Sequence, residues 1–145
     1  MGGITCDARI RVRYAETDKM GVVYHANYLM WFEVGRVELL RKMGFTYRDL
    51  EREQDCHFPV VDVRCRYKSP AFYDDELIIR TRLKHVRSAF LQFTYEVLRT
   101  NDDAVLAEGE TTHIVVNSKM EKTSLPEKYA KAFSLAESST EAKSV

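Results

Sequence analysis

At 145 residues, 45% of them apolar, the chain has the size of one domain with a sizeable core. Its 22 basic and 22 acidic residues cancel, so no global field draws it to nucleic acid or an anionic membrane, and an anionic ligand must be held by a local patch. No stretch approaches the ~20 apolar residues of a membrane span, and the opening MGGITCDARIRVRY lacks the apolar core of a secretory signal.

Cys6, Cys56 and Cys65 are an odd number without C-x-x-C spacing, which argues against a disulfide framework and a structural zinc site. The expectation is a reducing cytoplasm, no membrane insertion, no metal and no cofactor. In chain order, residues 9–14 (RIRVRY) alternate charged with apolar or aromatic side chains and predict a strand with one wet face. From Tyr28 the spacing of Tyr28, Phe32, Leu39 and Met43 predicts a helix ~24 Å long, closed by Gly44 just past its end. The run Leu29-Met30-Trp31-Phe32 is apolar over a full turn, so this helix should be wrapped by other structure rather than lie on a surface. Glu33 and Arg36, three apart on it, predict a buried or half-buried ion pair.

Thr46 and Asp49 have capping-box spacing and open a short helix to about Glu53. The period then changes to two. Strands are predicted over 60–68, 76–87, the segment carrying Leu91, Phe93, Tyr95 and Val97, and 104–117, with turns at Arg87-Ser88-Ala89 and Asn101-Asp102-Asp103. Ser124, Pro126 and Glu127 predict a last helix to about Phe133, with Ser124 as cap and Pro126 in the first turn. Residues 1–136 form the single domain, and 137–145, polar and rich in Ser and Thr, a mobile tail. A mostly antiparallel sheet with a long helix packed on it is an α+β domain, and a sheet curled around that helix answers the demand of residues 29–32.

Chemistry concentrates in residues 14–28, YAETDKMGVVYHANY, which place two carboxylates, a tyrosine and a histidine just before a helix whose unpaired N–H groups can bind an oxyanion. On spacing alone Asp18 could equally be a turn residue bonding its own backbone, and His25 or Asn27 a helix cap. The segment resembles the signature of the 4-hydroxybenzoyl-CoA thioesterase branch of the hotdog superfamily, and more closely the small bacterial acyl-CoA thioesterases associated with the Tol-Pal system. Tyr14, Asp18, Gly21 to His25, Asn27, Tyr28, Phe32, Glu33 and Arg36 carry that resemblance; Glu16 departs from it, standing where the family more often has Asp.

The resemblance implies a hotdog fold, a curved antiparallel sheet wrapped around a long central helix, that hydrolyses acyl-CoA thioesters. Asp18 corresponds to the carboxylate that attacks the thioester carbonyl or activates water to do so. The backbone N–H of Tyr24 or His25 corresponds to the oxyanion donor, with His25 orienting substrate or moving a proton and Tyr14 beside the carboxylate. CoA phosphates need cations, and residues 64–87 hold seven (Arg64, Arg66, Lys68, Arg80, Arg82, Lys84, Arg87) against three acids, although most can equally belong to a solvated sheet face. By resemblance Arg87 and Ser88 are the CoA ligands, and Phe58, Pro59 and Val60 line the acyl or pantetheine channel.

His57, His85 and His113 have no metal-ligand partners at suitable spacing and are taken as structural. A hotdog hydratase or dehydratase and a non-catalytic thioester-binding protein are the alternative functions. Open sheet edges further imply a homo-oligomer, a dimer or more readily a tetramer.

Overall fold

The alternation read from residue 76 onward produces a meander: β3 (Glu76–Arg87), β4 (Phe90–Arg99) and β5 (Val105–Ile114) pair in succession, all antiparallel. β1 (Thr5–Arg11) joins the free edge of β3 and β2 (Val60–Tyr67) the free edge of β5, giving the order β1-β3-β4-β5-β2. Three helices, α1 (Asn27–Lys42), α2 (Tyr47–Glu53) and α3 (Glu127–Ala136), complete the architecture in the computed structural model, which describes residues 3–87 and 89–137. This is the antiparallel sheet around a long helix expected of a hotdog. Ser88 and residues 138–145 lie outside the described residues.

α1 starts and stops where its sequence says it should. Gly44 takes φ +95 just past its end, a conformation that costs glycine nothing, and the Phe45 N–H closes back on the Leu40 carbonyl at 2.9 Å. Its buried face is Tyr28, Trp31, Phe32, Gly35, Leu39 and Leu40, lying on β3, β1 and β4. The sheet offers Leu77, Ile79 and Leu83 from β3 and Leu91, Phe93, Tyr95 and Val97 from β4, all buried. A bulge between Leu83 and His85 shifts the alternation by one residue, so that Val86 is the next buried position.

Four expectations need correction. β1 begins at Thr5 and ends at Arg11, because residues 14–16 coil into a 3-10 turn whose Glu16 carboxylate accepts the Arg13 N–H at 2.8 Å. The wrapping of residues 29–32 is one-sided: Trp31 and Phe32 are buried, but Leu29 and Met30 remain 39% and 60% exposed. Glu33 is exposed and forms no ion pair with Arg36 among the described residues; the Arg36 Nη1 donates instead to the Tyr95 hydroxyl at 3.5 Å. α3 is capped by Pro126 without a side-chain bond and runs to Ala136, so neither the cap at Ser124 nor the stop near Phe133 is found. Thr46 does cap α2, its hydroxyl accepting the Asp49 N–H at 3.1 Å.

Phe32 packs between α1 and the sheet. Its ring stacks on Tyr95, centroids 4.3 Å apart and planes at 8°, and its edge stands over Gly109, where a β-carbon would collide with Cζ and Cε2. Gly109→Ala is therefore expected to lose about 2 kcal/mol by overpacking. Urea unfolding of the variant measures this, and a loss under ~0.5 kcal/mol would show that Phe32 can retreat freely.

Beside this stack the sheet buries a chain of polar groups. Arg36 donates to Tyr95, the Tyr95 hydroxyl lies 2.6 Å from the Thr111 hydroxyl, Thr111 lies 2.9 Å from His113 Nε2, and His113 Nδ1 lies 3.0 Å from the Phe58 carbonyl. Because guanidinium can only donate and a carbonyl only accept, the chain runs in one direction, with His113 neutral and protonated on Nδ1. His113 thus serves a structural role, as its sequence surroundings suggested.

Candidate active site

Asp18 sits at the head of a tight hairpin between β1 and α1. Thr17 and Val23 pair across it, the Asp18 N–H donates to the Val22 carbonyl at 2.8 Å, and the Gly21 N–H donates back to the Asp18 carbonyl at 2.9 Å. Gly21 has φ +85, which a side chain would strain. Asp18 Oδ1 accepts the Met20 N–H at 2.8 Å. The turn-forming reading is correct for this oxygen. Among the described residues no donor reaches Oδ2, so one carboxylate oxygen is fixed and the other is open.

The carboxylate lines a cleft of about 330 Å³ whose walls include Val22, His25, Tyr28, Tyr67, Lys68 and Pro70. Two chain segments meet there. The Tyr67 hydroxyl, from the end of β2, donates to the His25 carbonyl at 2.9 Å, and its ring stands edge-on to Tyr28 at 5.0 Å. Although Tyr67 as a whole is 45% exposed, loss of water around its phenol pushes that group up, and its contact with Cys65 adds to this, so it is a neutral hydrogen-bond donor at physiological pH.

The opposite wall is the turn that leads into α1. Its N–H groups are not equivalent: Tyr24 N–H donates to the Glu16 carbonyl at 2.9 Å, whereas among the described residues the His25 N–H has no acceptor. Of the two expected oxyanion donors, only the His25 amide is open. The Tyr24 ring packs on the His25 imidazole at 4.5 Å and is half exposed.

The remaining expected site residues lie apart. Tyr14, 77% exposed, faces away from the cleft into a second depression with Arg11, Arg13 and Tyr73, meeting the Tyr73 ring edge-on at 5.9 Å. The 3-10 turn rotates it out of the hairpin. Phe58, Pro59 and Val60 enter β2 at its far end, where Phe58 packs on Tyr47 and Phe133. Arg87 is at the far end of β3, its Nη1 donating to the Val86 carbonyl at 2.8 Å and lying 3.6 Å from the Glu137 carboxylate. At ~3.3 Å per residue the eight residues of β2 put Val60 roughly 23 Å from Tyr67. Within one chain, then, Asp18 and His25 share a cleft with each other and not with Arg87 or residues 58–60.

Most of the cationic stretch is a paired sheet face. Arg80 bridges Asp7 at 2.9 Å, Lys84 bridges Glu110 at 3.1 Å and Lys68 bridges Glu108 at 3.2 Å. Tyr67, Tyr28 and Pro70 escape sequence reasoning as site residues. Only the position of β2 at the sheet edge brings Tyr67 to His25, and no linear spacing of 42 residues reports that.

A family model described as the thioesterase-like superfamily matches residues 12–133. The chain belongs to this superfamily. Within it, the chain is 37% identical over 124 residues to a putative acyl-CoA thioesterase, YneP, of Bacillus subtilis, covering 86% of each chain. It is 34% identical over 125 residues to the acyl-CoA thioester hydrolase YbgC of Escherichia coli, covering 86% of this chain and 92% of that one. Among solved structures it is similar to a DHNA-CoA thioesterase from Staphylococcus aureus, with a TM-score of 0.85 and 32% identity over 90% of this chain and 89% of that chain. The superfamily match takes in Asp18, His25 and the whole cleft, together with Phe58 to Val60 and Arg87.

Proposed function

We propose that the protein hydrolyses acyl-CoA thioesters to the free acid and CoA, with Asp18 as the reacting carboxylate. The observation that carries this reading is that Asp18, whose Oδ2 has no donor among the described residues, and His25, whose N–H has no acceptor among them, line one cleft just before α1. A thioester carbonyl bridging the two has its carbon near a base or nucleophile and its oxygen at the positive end of a helix. Attack by Asp18, or by water that Asp18 deprotonates, moves negative charge onto that oxygen. Collapse then expels the CoA thiolate, a leaving group stable enough to depart without a strong acid, and the His25 imidazole can pass a proton to it; where Asp18 itself attacks, water then cleaves the acyl-Asp18 anhydride, releasing the acid and restoring the carboxylate. Acyl-CoA thioesterase and thioester hydrolase relatives support the substrate class.

The separated residues support assembly of two copies. β2 is an open sheet edge with Val60, Val61, Val63 and Tyr67 all more than 40% exposed, a template for a second strand. Antiparallel pairing of two β2 strands about a two-fold axis sets the start of one beside the end of the other. Phe58, Pro59, Val60 and Arg87 of one copy then approach the Asp18 cleft of its partner, as acyl channel and CoA phosphate ligand. A homodimer is the minimum unit, and a tetramer is the expected form. Light scattering at micromolar concentration should give a multiple of 16.9 kDa; a monodisperse single-chain particle would sink this assembly.

The cytoplasm is the proposed location, which suits three free cysteines. Among the described residues no helix is long and apolar enough to cross a membrane. The decisive test is thiol release by the purified protein across aliphatic and aryl-CoA thioesters, run beside enoyl absorbance to expose hydration. Silence in the thiol channel with every substrate would refute the proposal.

A further inference from the structure

Asp18 and the His25 amide belong to different elements, a hairpin and a helix start, and hydrolysis needs them at a fixed separation. Glu16 is the residue that holds both. It is 7% exposed, in contrast to the largely open Tyr14 two positions before it. Its backbone carbonyl accepts the Tyr24 N–H at 2.9 Å and the Asn27 side-chain amide at 2.8 Å, tying the base of the hairpin to the start of α1. Its carboxylate accepts the Arg13 N–H at 2.8 Å, the Arg13 guanidinium at 3.3 Å and the Trp31 indole N–H at 3.2 Å, tying the same point to the second turn of α1. The two ends of one residue thus grip the chain on both sides of Asp18.

These bonds also choose the oxyanion donor. By occupying the Tyr24 N–H, the Glu16 carbonyl leaves His25 as the free amide opposite Asp18. The buried carboxylate stops the hairpin from rocking on that hinge, since the indole is fixed in the core against Tyr28 at 4.7 Å. We infer that Glu16 is a positioning residue for thioester hydrolysis, setting Asp18 against the His25 N–H through its carboxylate's grip on Trp31 and Arg13. This rests on the reading of Asp18 as the reacting carboxylate.

The carboxylate can accept at both oxygens, whereas the amide of Gln has one acceptor and one donor group. Glu16→Gln keeps the shape but leaves one acceptor oxygen for three donors, the Arg13 N–H, the Arg13 guanidinium and the Trp31 indole, and turns an NH2 toward at least one of them. The hairpin then keeps its fold and loses its fixed angle. A misplacement of ~1 Å typically costs up to ~100-fold in rate, so kcat is expected to fall about tenfold or more with KM held within about twofold. Trp31→Phe, which removes the indole donor and keeps an aromatic ring, should give the same split. The double variant should be no slower than the slower single one, because both remove the same link.

Trp31 is the only tryptophan, so its emission reports this contact directly, and the spectrum of folded Glu16→Gln should differ from the parent's. Measurement of kcat, KM and thermal midpoint for the parent, Glu16→Gln, Trp31→Phe, the double variant and Asp18→Asn, with tryptophan emission for those that keep Trp31, tests the inference. It is overturned if Glu16→Gln retains kcat within twofold of the parent, or if the two single losses multiply in the double variant. A fall in kcat that merely tracks the unfolded fraction at each assay temperature also overturns it, since Glu16 would then only stabilise the fold. An inert Asp18→Asn beside a fully active Glu16→Gln leaves the proposed function standing and sinks this inference alone. A parent that releases no thiol from any acyl-CoA sinks both.

Discussion

Asp18→Asn lowers the turnover rate of thioester hydrolysis by at least ~100-fold while fold and substrate affinity stay near those of the parent. The substitution suits the site because the two carboxylate oxygens have different tasks. Oδ1 accepts the Met20 N–H at 2.8 Å and shapes the hairpin, and an asparagine oxygen can do the same. Oδ2, which no donor holds among the described residues, becomes an amide nitrogen that neither attacks a carbonyl nor takes a proton from water. The loss therefore falls on the transition state, lowering kcat and kcat/KM together. Thiol-release kinetics, with circular dichroism to show that the variant is folded, check this. A folded variant with more than about a tenth of the parent's turnover would mean that Asp18 only forms a turn, since that exceeds what a ~100-fold loss leaves.

Acidification from pH 6.5 to pH 4 is expected to remove about 3 kcal/mol of stability through His113 alone. Burial, reinforced by the Arg36 cation and opposed by the Phe58 carbonyl, pushes this imidazole down to about 4. The unfolded chain binds the proton at about 6.5. Above that value His113 is neutral in both states and its stabilising contribution is complete. Between the two values the unfolded state takes up a proton that the native state refuses, so stability falls as pH falls. The hydrogen-bond chain shows why refusal is firm: a proton on Nε2 would face the Thr111 hydroxyl that already donates to it. Denaturant unfolding at a series of pH values should give His113→Gln a shallower slope than the parent across this window, even though the variant is less stable at neutral pH. Parallel slopes for the two proteins would show that other groups carry the acid sensitivity.

The elements that sequence exposes well are those governed by local physics. The helix of Tyr28, Phe32, Leu39 and Gly44, the Thr46 cap and the alternation of Leu91, Phe93, Tyr95 and Val97 all depend on spacing within a few residues, and each appears where the spacing puts it. The site is legible in its first wall only. Asp18 and His25 share one segment and reach one cleft, but Tyr67 arrives through sheet order. The Glu33–Arg36 expectation fails because a tertiary acceptor, the Tyr95 hydroxyl, outcompetes a helical neighbour. Tyr14 leaves the cleft because the Glu16 carboxylate coils the chain that carries it. Alternation alone does not register such a side-chain bond. Leu29 and Met30 look like core in composition, yet the sheet reaches only one side of α1.

The strand order has a bearing on how the chain can be made. Synthesis runs from the N-terminus at ~5–20 residues per second, and the first 67 residues contain β1, both early helices and β2. Among the described residues β1 pairs only with β3 and β2 only with β5, so neither strand has a native ladder partner while the nascent chain ends at Tyr67. The apolar face of α1 waits in part as well: of the strands it lies on, only β1 has been made, and β3 and β4 are still to come. The half of the polypeptide that carries the Asp18 hairpin is thus the first to emerge and the last to be enclosed, and it depends on the final strand before β2 can be secured.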